Sequence, residues 1–298
     1  MTTAPRTWLF CDYNQAESRV VAWRGPVPKL RQWYSEGKDV HLLVTKIIAK
    51  VIQENKIKLY GDIFIRKHWD EFIKGDEERE QCKRIVHGYN YEVGVGKVAL
   101  ILGVQEIVAK TLMTIYGTLF PEIKTGYQAW IRQQIQKSKT LWMPEPVKFR
   151  KVFWDIITDD LYRQAYASYP QIVVAAMLNR TLKYCSEIFR EDQDEKLKEQ
   201  WEAWYGEENW NEWRSLRDRR SKSPKAILWG GMDIRLNVHD AGGISIPSDS
   251  DLIKWAVGVW KAKAEETIWV EKDNPLVIPV DFKVGPTWGD LHDLKLAS

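Results

Sequence analysis

The sequence predicts an α+β fold, and three features carry that reading. Thr7 to Cys11 (TWLFC) is an apolar run that closes on a carboxylate, Asp12, the pattern of a buried strand with an acidic C-terminal end. Asp233 to His239 alternates apolar and polar residues. After Asp240, Ala241, Gly242 and Gly243 a second alternating run follows at Ile244 to Ile246, which predicts a β-hairpin with a Gly-containing turn and an aspartate at its tip. Between these strands most of the chain reads as helix. The 298 residues suffice for one large domain or two ordinary ones, and 44% apolar with 29% charged residues is the composition of a soluble globular chain. Lys+Arg 44 against Asp+Glu 41 gives a net charge of +3, too balanced to announce a nucleic-acid binder by itself. Cys11, Cys82 and Cys185 lie far apart without a CxxC pair, which argues against a zinc ribbon or a disulfide framework. The longest apolar run, Ile172 to Leu178, is far short of a membrane span, and MTTAPRTWLF lacks the regions of a signal peptide, so a cytoplasmic location is expected. The 16 Trp are unusually many.

The elements follow in order. Gln15 to about Leu30 is mixed, and Gly25, Pro26 and Pro28 interrupt any helix. Helices are predicted at Asp39 to Lys50, Glu71 to Tyr91, Val104 to about Leu119 and Tyr127 to Lys137. Trp142 to Val147 holds two prolines and reads as a loop or hairpin. Asp155 to Phe189 is predicted helical apart from a break near Pro170. Arg190 to Ser223 is dense in charges of both signs. Leu197, Trp201 and Trp204 fall on one helical face, as do Trp210, Trp213 and Leu216 after Gly206, so two short amphipathic helices are expected there. Their Trp stripe suits either packing on the body or docking of another chain. A helix from about Asp249 to Glu266 and a final strand from Leu276 to Val284 close the pattern.

Two constellations carry chemistry. Asp12 and Asp240 each end a predicted strand, and paired strand-end carboxylates are what two hard cations need in phosphoryl transfer. Taken alone this is weak, because an aspartate at a strand end commonly serves as a cap or turn residue. The second constellation is Arg79, Lys83, His87 and Tyr91 at strict i+4 spacing. On a helix these form one slowly drifting stripe about 18 Å long, cationic at the start and aromatic at the end. That order suits a nucleoside triphosphate: a forked arginine contact to phosphate, a lysine able to protonate a pyrophosphate leaving group, and rings for sugar or base. A solvated helix face would show the same spacing. Gly94–Val95–Gly96–Lys97 lacks the first glycine and the Ser/Thr of a phosphate loop.

These residues resemble the polymerase domain of family A DNA polymerases, the bacterial DNA polymerase I type. Asp12-Tyr13-Asn14-Gln15-Ala16-Glu17-Ser18-Arg19 resembles motif A, DYSQIELR. Arg79-x-x-x-Lys83-x-x-x-His87-Gly88-x-x-Tyr91 resembles motif B, RxxxKxxxFGxxYG, and Val238-His239-Asp240 resembles motif C, VHDE. Gly37-Lys38-Asp39-Val40-His41 is similar to a further block, GKDIH. Pro170-Gln171 with Ala175-Ala176 resembles the PVQGTAAD region, and Val280 to Trp288-Gly289 the closing segment. The order is that of the family, and the resemblance covers nearly the whole chain.

The resemblance implies a catalytic role for Asp12, Asp240 and Lys83, with Lys83 the candidate general acid. Asp12, Asp240 and the Tyr13 carbonyl would ligate two Mg2+ ions, with Mn2+ as an alternative. Arg79, Lys83 and His41 would hold phosphates. Glu17 would crowd the sugar 2′ position beside Tyr91, and His87, Tyr13 and Gln15 complete the nucleotide-binding set. Gln171, Arg163 and His239 would touch DNA in the minor groove or at the primer end, where contacts test pairing without reading sequence. The implied architecture is an antiparallel palm sheet from residues 1–30 and 228–298. Helical fingers occupy 31–227, including the charged Trp-rich insertion at about 190–223.

The implied function is DNA-templated addition of dNMP to a primer 3′-hydroxyl, with primer–template DNA and dNTP as partners and no membrane. Departures bear on this. Ala241 stands where the family has a glutamate, His87 replaces a Phe or Tyr, Glu92 replaces the glycine after Tyr91, and part of Val51 to Ile73 looks inserted. Motif A lies within a dozen residues of Met1, where the family has a thumb and often an exonuclease domain. The expectation is a split polymerase, of viral or phage kind, whose second polypeptide carries thumb and exonuclease functions. An alternative is a polymerase-derived, non-catalytic DNA-binding or assembly subunit. A single-subunit RNA polymerase is disfavoured by Glu17.

Overall fold

The computed structural model describes residues 6–57, 64–205, 233–238, 240–248, 250–271 and 273–294, and the backbone alone of residues 187–205, 233–236, Val238 and Pro247. In chain order these form β1 (Arg6–Tyr13), α1 (Ala16–Arg24), α2 (Pro28–Ser35), α3 (Val40–Glu54), α4 (Glu77–Asn90), α5 (Val95–Leu102), α6 (Glu106–Leu119) and α7 (Ala129–Ser138). There follow β2 (Thr140–Trp142), β3 (Arg150–Val152), α8 (Asp159–Tyr205), β4 (Asp233–Val238), β5 (Ala241–Pro247) and α9 (Ser250–Ala264). The chain closes with β6 (Ile268–Glu271), β7 (Asn274–Leu276), β8 (Val280–Gly285) and β9 (His292–Asp293). Two units divide it: Met1–Asn14, Val174–Glu266 and Val277–Ser298 in one, Gln15–Val173 and Thr267–Leu276 in the other.

The first unit is built on a five-stranded antiparallel sheet of order β4-β5-β1-β8-β9. The expected α+β class and antiparallel sheet are what the structure has. Strand β1 alternates: Leu9, Cys11 and Tyr13 are buried, while Trp8, Phe10 and Asp12 point to the other face and are half-buried. On the buried face Phe282 meets Trp260 of α9 edge to face at 6.2 Å. Trp260 is fully buried, and its truncation to alanine would cost about 3–5 kcal/mol. A Cβ at Gly242 would come within 3.0 Å of both Leu182 and Trp260, so β5 packs closely only because that side chain is absent. On the other face Trp288 covers Phe10 edge to face at 5.0 Å.

The second unit is helical with two small hairpins, β2-β3 and β6-β7. Helix α3 begins on an N-cap, Asp39, whose side chain accepts from Leu42 N, and buries Val40, Val44, Ile48 and Ile52 along one face. Helix α4 buries Cys82, Ile85 and Val86, and α6 buries Val108, Leu112 and Tyr116, in the same apolar core. The three cysteines are buried and form no disulfide.

Several elements differ from the sequence reading. Gln15 to Leu30 does contain helix: α1 ends and α2 begins around Gly25 and Pro26. Helix α1 is buried on nearly every side (Ala16, Ser18, Arg19, Val20, Val21, Ala22), which erases the amphipathic period, and Pro28 sits at the start of α2, where its missing N–H costs nothing. The expected Glu71 to Tyr91 helix starts only at Glu77, and α5 was not foreseen. Strand β8 starts at Val280, because Pro279 separates it from β7. Val238 pairs with Ala241, so the glycines expected in the turn lie within β5 instead.

The break expected at Pro170 is also absent. Helix α8 runs through it and on to Tyr205, so the first arm of the expected Trp-rich hairpin is the end of α8. The second arm, with Trp210 and Trp213, lies outside the described residues. A proline leaves the carbonyl four residues earlier without its helical donor. That carbonyl belongs to Tyr166, and the Tyr127 hydroxyl donates to it at 2.5 Å, within the second unit. A side chain from elsewhere in the fold thus supplies what Pro170 removes.

Candidate active site

In the first unit, the sheet brings the two predicted metal-binding aspartates to neighbouring strand ends. Asp12 is the penultimate residue of β1 and pairs across the ladder with Ala241. Asp240 precedes Ala241 in the turn, and the Tyr13 N–H donates to the Asp240 carbonyl at 3.1 Å. The spacing of the two aspartates is therefore set by main chain. Both carboxylates are half-buried. Tyr13 points to the buried face, where its hydroxyl meets Thr181 Oγ1 at 3.2 Å. Burial pushes its pKa well up, so it stays protonated.

A third carboxylate stands nearby that the sequence reading did not single out. Asp281 of β8 lies directly across from Asp12 on the side away from Ala241, and residues opposed in a ladder project to the same face. Asn14 Nδ2 donates to Asp281 Oδ2 at 2.9 Å. The strand register, which sequence does not display, is the signal that would have found it.

The donor set expected from the sequence is Asp12, Asp240 and the Tyr13 carbonyl. It is all oxygen, which suits a hard divalent cation whose remaining places go to water and phosphate. Among the described residues no three His, Cys, Asp or Glu side chains gather to hold a metal by themselves.

The second unit carries the stripe. Arg79, Lys83 and His87 lie on α4, and Tyr91 closes it at the C-cap. Lys83, His87 and Tyr91 line a cavity of about 370 Å³, with Val98 and Ile101 of α5 opposite. Helices α4 and α5 approach closely because of Gly88, where a Cβ would fall 2.9 Å from Val98 Cγ2. Lys83 is exposed and has no ion pair among the described residues. Arg79 does not line the cavity itself: Nε donates to Asp39 Oδ2 at 2.9 Å, and Nη1 to Oε1 of Glu80, a lining residue, at 2.6 Å.

The Tyr91 hydroxyl donates to Glu17 Oε2. Burial first, then the Glu17 charge, push the Tyr91 pKa well above its ordinary value, so the phenol keeps the proton this bond needs. His87 Nδ1 stands 3.6 Å from the same Glu17 oxygen. Burial, with Lys83 adding to it, pushes His87 down to about 4, so the ring is neutral near pH 7. His41 is 1% exposed and its Nδ1 has no hydrogen-bond partner among the described residues. Burial, then His87, Arg79 and Lys83, lower its pKa. Gln15 caps α1 in the left-handed region at φ 50°, and its Oε1 accepts from the His41 N–H at 3.4 Å.

The expected DNA contacts are less gathered. Arg163 bonds Asp160 at 2.7 Å and the Glu92 carbonyl at 3.1 Å. Gln171 is exposed on α8. His239 lies outside the described residues. Glu92 itself has φ 54°, a left-handed conformation that explains why glycine suits the position in the family.

An antiparallel sheet with aspartates at adjoining strand ends, and a helix carrying Arg, Lys and a terminal Tyr, are the parts of a polymerase domain. The sequence model of DNA polymerase family A matches residues 1–169, and the chain belongs to that family. In structure it is similar to the POL domain of Pol1 from M. smegmatis, solved in complex with DNA primer-template and dNTP. The TM-score is 0.61 and the identity 16%, over 95% of this chain and 40% of that one. The chain thus spans about two fifths of the length of that Pol1 chain. No curated protein matches the sequence.

Proposed function

We propose that this chain catalyses DNA-templated DNA synthesis, with Asp12 and Asp240 as the paired metal ligands. The observation that carries this is the main-chain bond from Tyr13 to Asp240, which fixes two carboxylates at adjoining strand ends in a chain of this family. When bound, two Mg2+ ions would acidify the primer 3′-hydroxyl and neutralise charge on the triphosphate. Asp12, Asp240 and the Tyr13 carbonyl would hold them.

The chain's own residues do the rest. Arg79 and Lys83 bind the triphosphate. The primer 3′-oxygen releases its proton to water and forms a bond to the α-phosphorus as the bond to pyrophosphate breaks, and Lys83 gives its own proton to the leaving oxygen. Glu17, held by Tyr91, stands against a 2′-hydroxyl and so favours dNTP over rNTP. Arg163 and Gln171 contact the primer–template. In this reading a second polypeptide supplies the thumb that grips duplex DNA.

Primer extension with dNTP and Mg2+ tests the proposal, using this chain alone and with a protein encoded beside it. Extension is expected, and it disappears in Asp12→Ala and Asp240→Ala. DNA binding without extension under either condition would favour a non-catalytic subunit. Extension that survives either substitution removes the metal site from the reading. Equal use of rNTP and dNTP removes the role given to Glu17.

A further inference from the structure

Asp39 touches two elements of the triphosphate-binding unit at once. Its Oδ1 accepts from Leu42 N at 3.0 Å and caps α3, the helix that carries His41 at its second position. Its Oδ2 accepts from Arg79 Nε at 2.9 Å on α4. The two residues are 40 apart in sequence, so this one carboxylate ties the start of one helix to the start of another. Resting on the polymerase reading, we propose that Asp39 is the positioning residue for the triphosphate, with Glu80 as an exchangeable stand-in for phosphate on Arg79.

The geometry separates the two carboxylates on Arg79. Asp39 is 21% exposed and holds Nε, the nitrogen nearest the stem, which sets the plane of the guanidinium. Glu80 is 56% exposed and holds Nη1, one of the two nitrogens of the outer fork. The other, Nη2, has no partner among the described residues. A solvated glutamate leaves Nη1 at little cost, because an exposed pair contributes only about 0–1 kcal/mol. Nη1 and Nη2 together then present the forked donor that matches two phosphate oxygens. Asp39 stays in place, because losing it would strip both a helix cap and the Nε acceptor.

A second observation points the same way. His41, two residues after Asp39, is 1% exposed and carries a ring nitrogen with no hydrogen-bond partner among the described residues. Arg79 and Lys83 are among the charges that disfavour its protonation. A buried polar atom without a partner has a standing cost, and an anion brought to Arg79 and Lys83 would lessen the repulsion that keeps a proton off the ring. Asp39 fixes both members of this set, His41 through the helix cap and Arg79 through its fork.

The test uses the full chain and four variants, with steady-state dNTP kinetics, calorimetric titration with dTTP and with dTMP, and thermal melting. Asp39→Ser keeps a capping hydroxyl but cannot hold Arg79; it should melt within a few degrees of wild type. The KM and the dTTP dissociation constant should rise about tenfold, as expected for one charge-assisted bond, while dTMP binding stays within twofold. Asp39→Asn, which caps and still accepts from Nε without charge, should recover part of that loss. Asp39→Ala should combine it with a lower melting temperature. Glu80→Gln should do the opposite to KM and lower it about two- to threefold. A merely structural Asp39 would leave Asp39→Ser kinetically normal, which overturns the inference. So does a Glu80→Gln variant whose KM rises. Wild type that binds no dTTP overturns the polymerase reading and this inference together, whereas wild type and Asp39→Ser binding dTTP alike overturns the inference alone.

Discussion

In the sheet unit, Asp12 and Asp240 are set by main chain, through the β1–β5 ladder and the Tyr13 to Asp240 bond. In the helical unit, Glu17, Arg79 and Tyr91 are set by other side chains: a phenol on a carboxylate and a carboxylate on a guanidinium. The first arrangement moves only if the sheet moves. The second can exchange partners one bond at a time, as the proposed binding of a large, charged and variable substrate would require. Substitutions should therefore separate. In the sheet unit they delete function without loosening the fold, and in the helical unit they shift affinity, selectivity and pH response by degrees.

The largest effect tests the first half of that comparison. Asp12→Ala and Asp240→Ala should each lower primer extension by about a thousandfold or more, the scale on which removing an essential charge-stabilising group acts. Because the ladder bonds are main-chain bonds that both substitutions keep, the unfolding free energy from urea melts should fall by only about 1 kcal/mol or less, the ordinary scale of a single substitution. A large loss of stability would show that these carboxylates are part of what holds the sheet.

The next effect belongs to the helical unit. His87 faces Glu17, Lys83, Tyr91 and the His41 ring, and burial holds it at about 4 against an ordinary value of 6.5. The folded chain thus refuses a proton that the unfolded chain accepts below pH 6.5. Stability is intact above that pH and falls as pH drops from 6.5 toward 4. Between pH 7 and pH 5 this amounts to about 2 kcal/mol, at roughly 1.4 kcal/mol per unit. Urea melts of wild type and His87→Phe at the two pH values isolate the contribution. Identical pH dependence in both proteins would mean that His87 does not titrate as its surroundings imply.

The Pro170 bypass gives a smaller effect. Tyr127→Phe leaves the Tyr166 carbonyl buried without a donor, at a cost of about 1–3 kcal/mol. In a Pro170→Ala background the helix regains its own N–H for that carbonyl, so the same substitution should cost much less. A double-mutant cycle on thermal or urea unfolding reads the coupling. Additive effects would mean that the hydroxyl does not stand in for the helical donor.

Local pattern made some of this legible and long-range pairing hid the rest. Strand β1, the hairpin around Asp240 and the face of α4 follow periods of two and of about four, and were readable. Helix α1 was not, because full burial removes the contrast on which periodicity depends. The continuation of α8 depends on Tyr127, 39 residues before its acceptor. The motif spacing gave Asp12, Asp240 and the stripe. Asp281 is visible only through strand register, and the Asp39–Arg79 pair only through the packing of α3 on α4. Asp39 did carry one local signal, its position as a capping residue just before an apolar helix.

The smallest effect asks how far side-chain bonding in the helical unit offsets backbone strain. Glu92 holds φ 54° where glycine would be relaxed, and its carboxylate accepts from Arg132 at 2.7 Å. Glu92→Gly removes strain of about 1 kcal/mol. It also frees the unfolded chain by about 0.5–1 kcal/mol and gives up an exposed ion pair of about 0–1 kcal/mol. These nearly cancel, so the net change should stay within about 1 kcal/mol, slightly destabilising at low salt. The Arg163 contact is to the Glu92 carbonyl and survives the change. Salt then separates the contributions: at 1 M the ion pair is screened in both proteins, over a Debye length of about 3 Å. The variant should then draw level with wild type or pass it in melting temperature. A deficit that persists at high salt would mean that the carboxylate orients Arg132 over the Tyr162 ring, 4.4 Å away, and the helical unit would then be held more rigidly than its exposed bonds suggest.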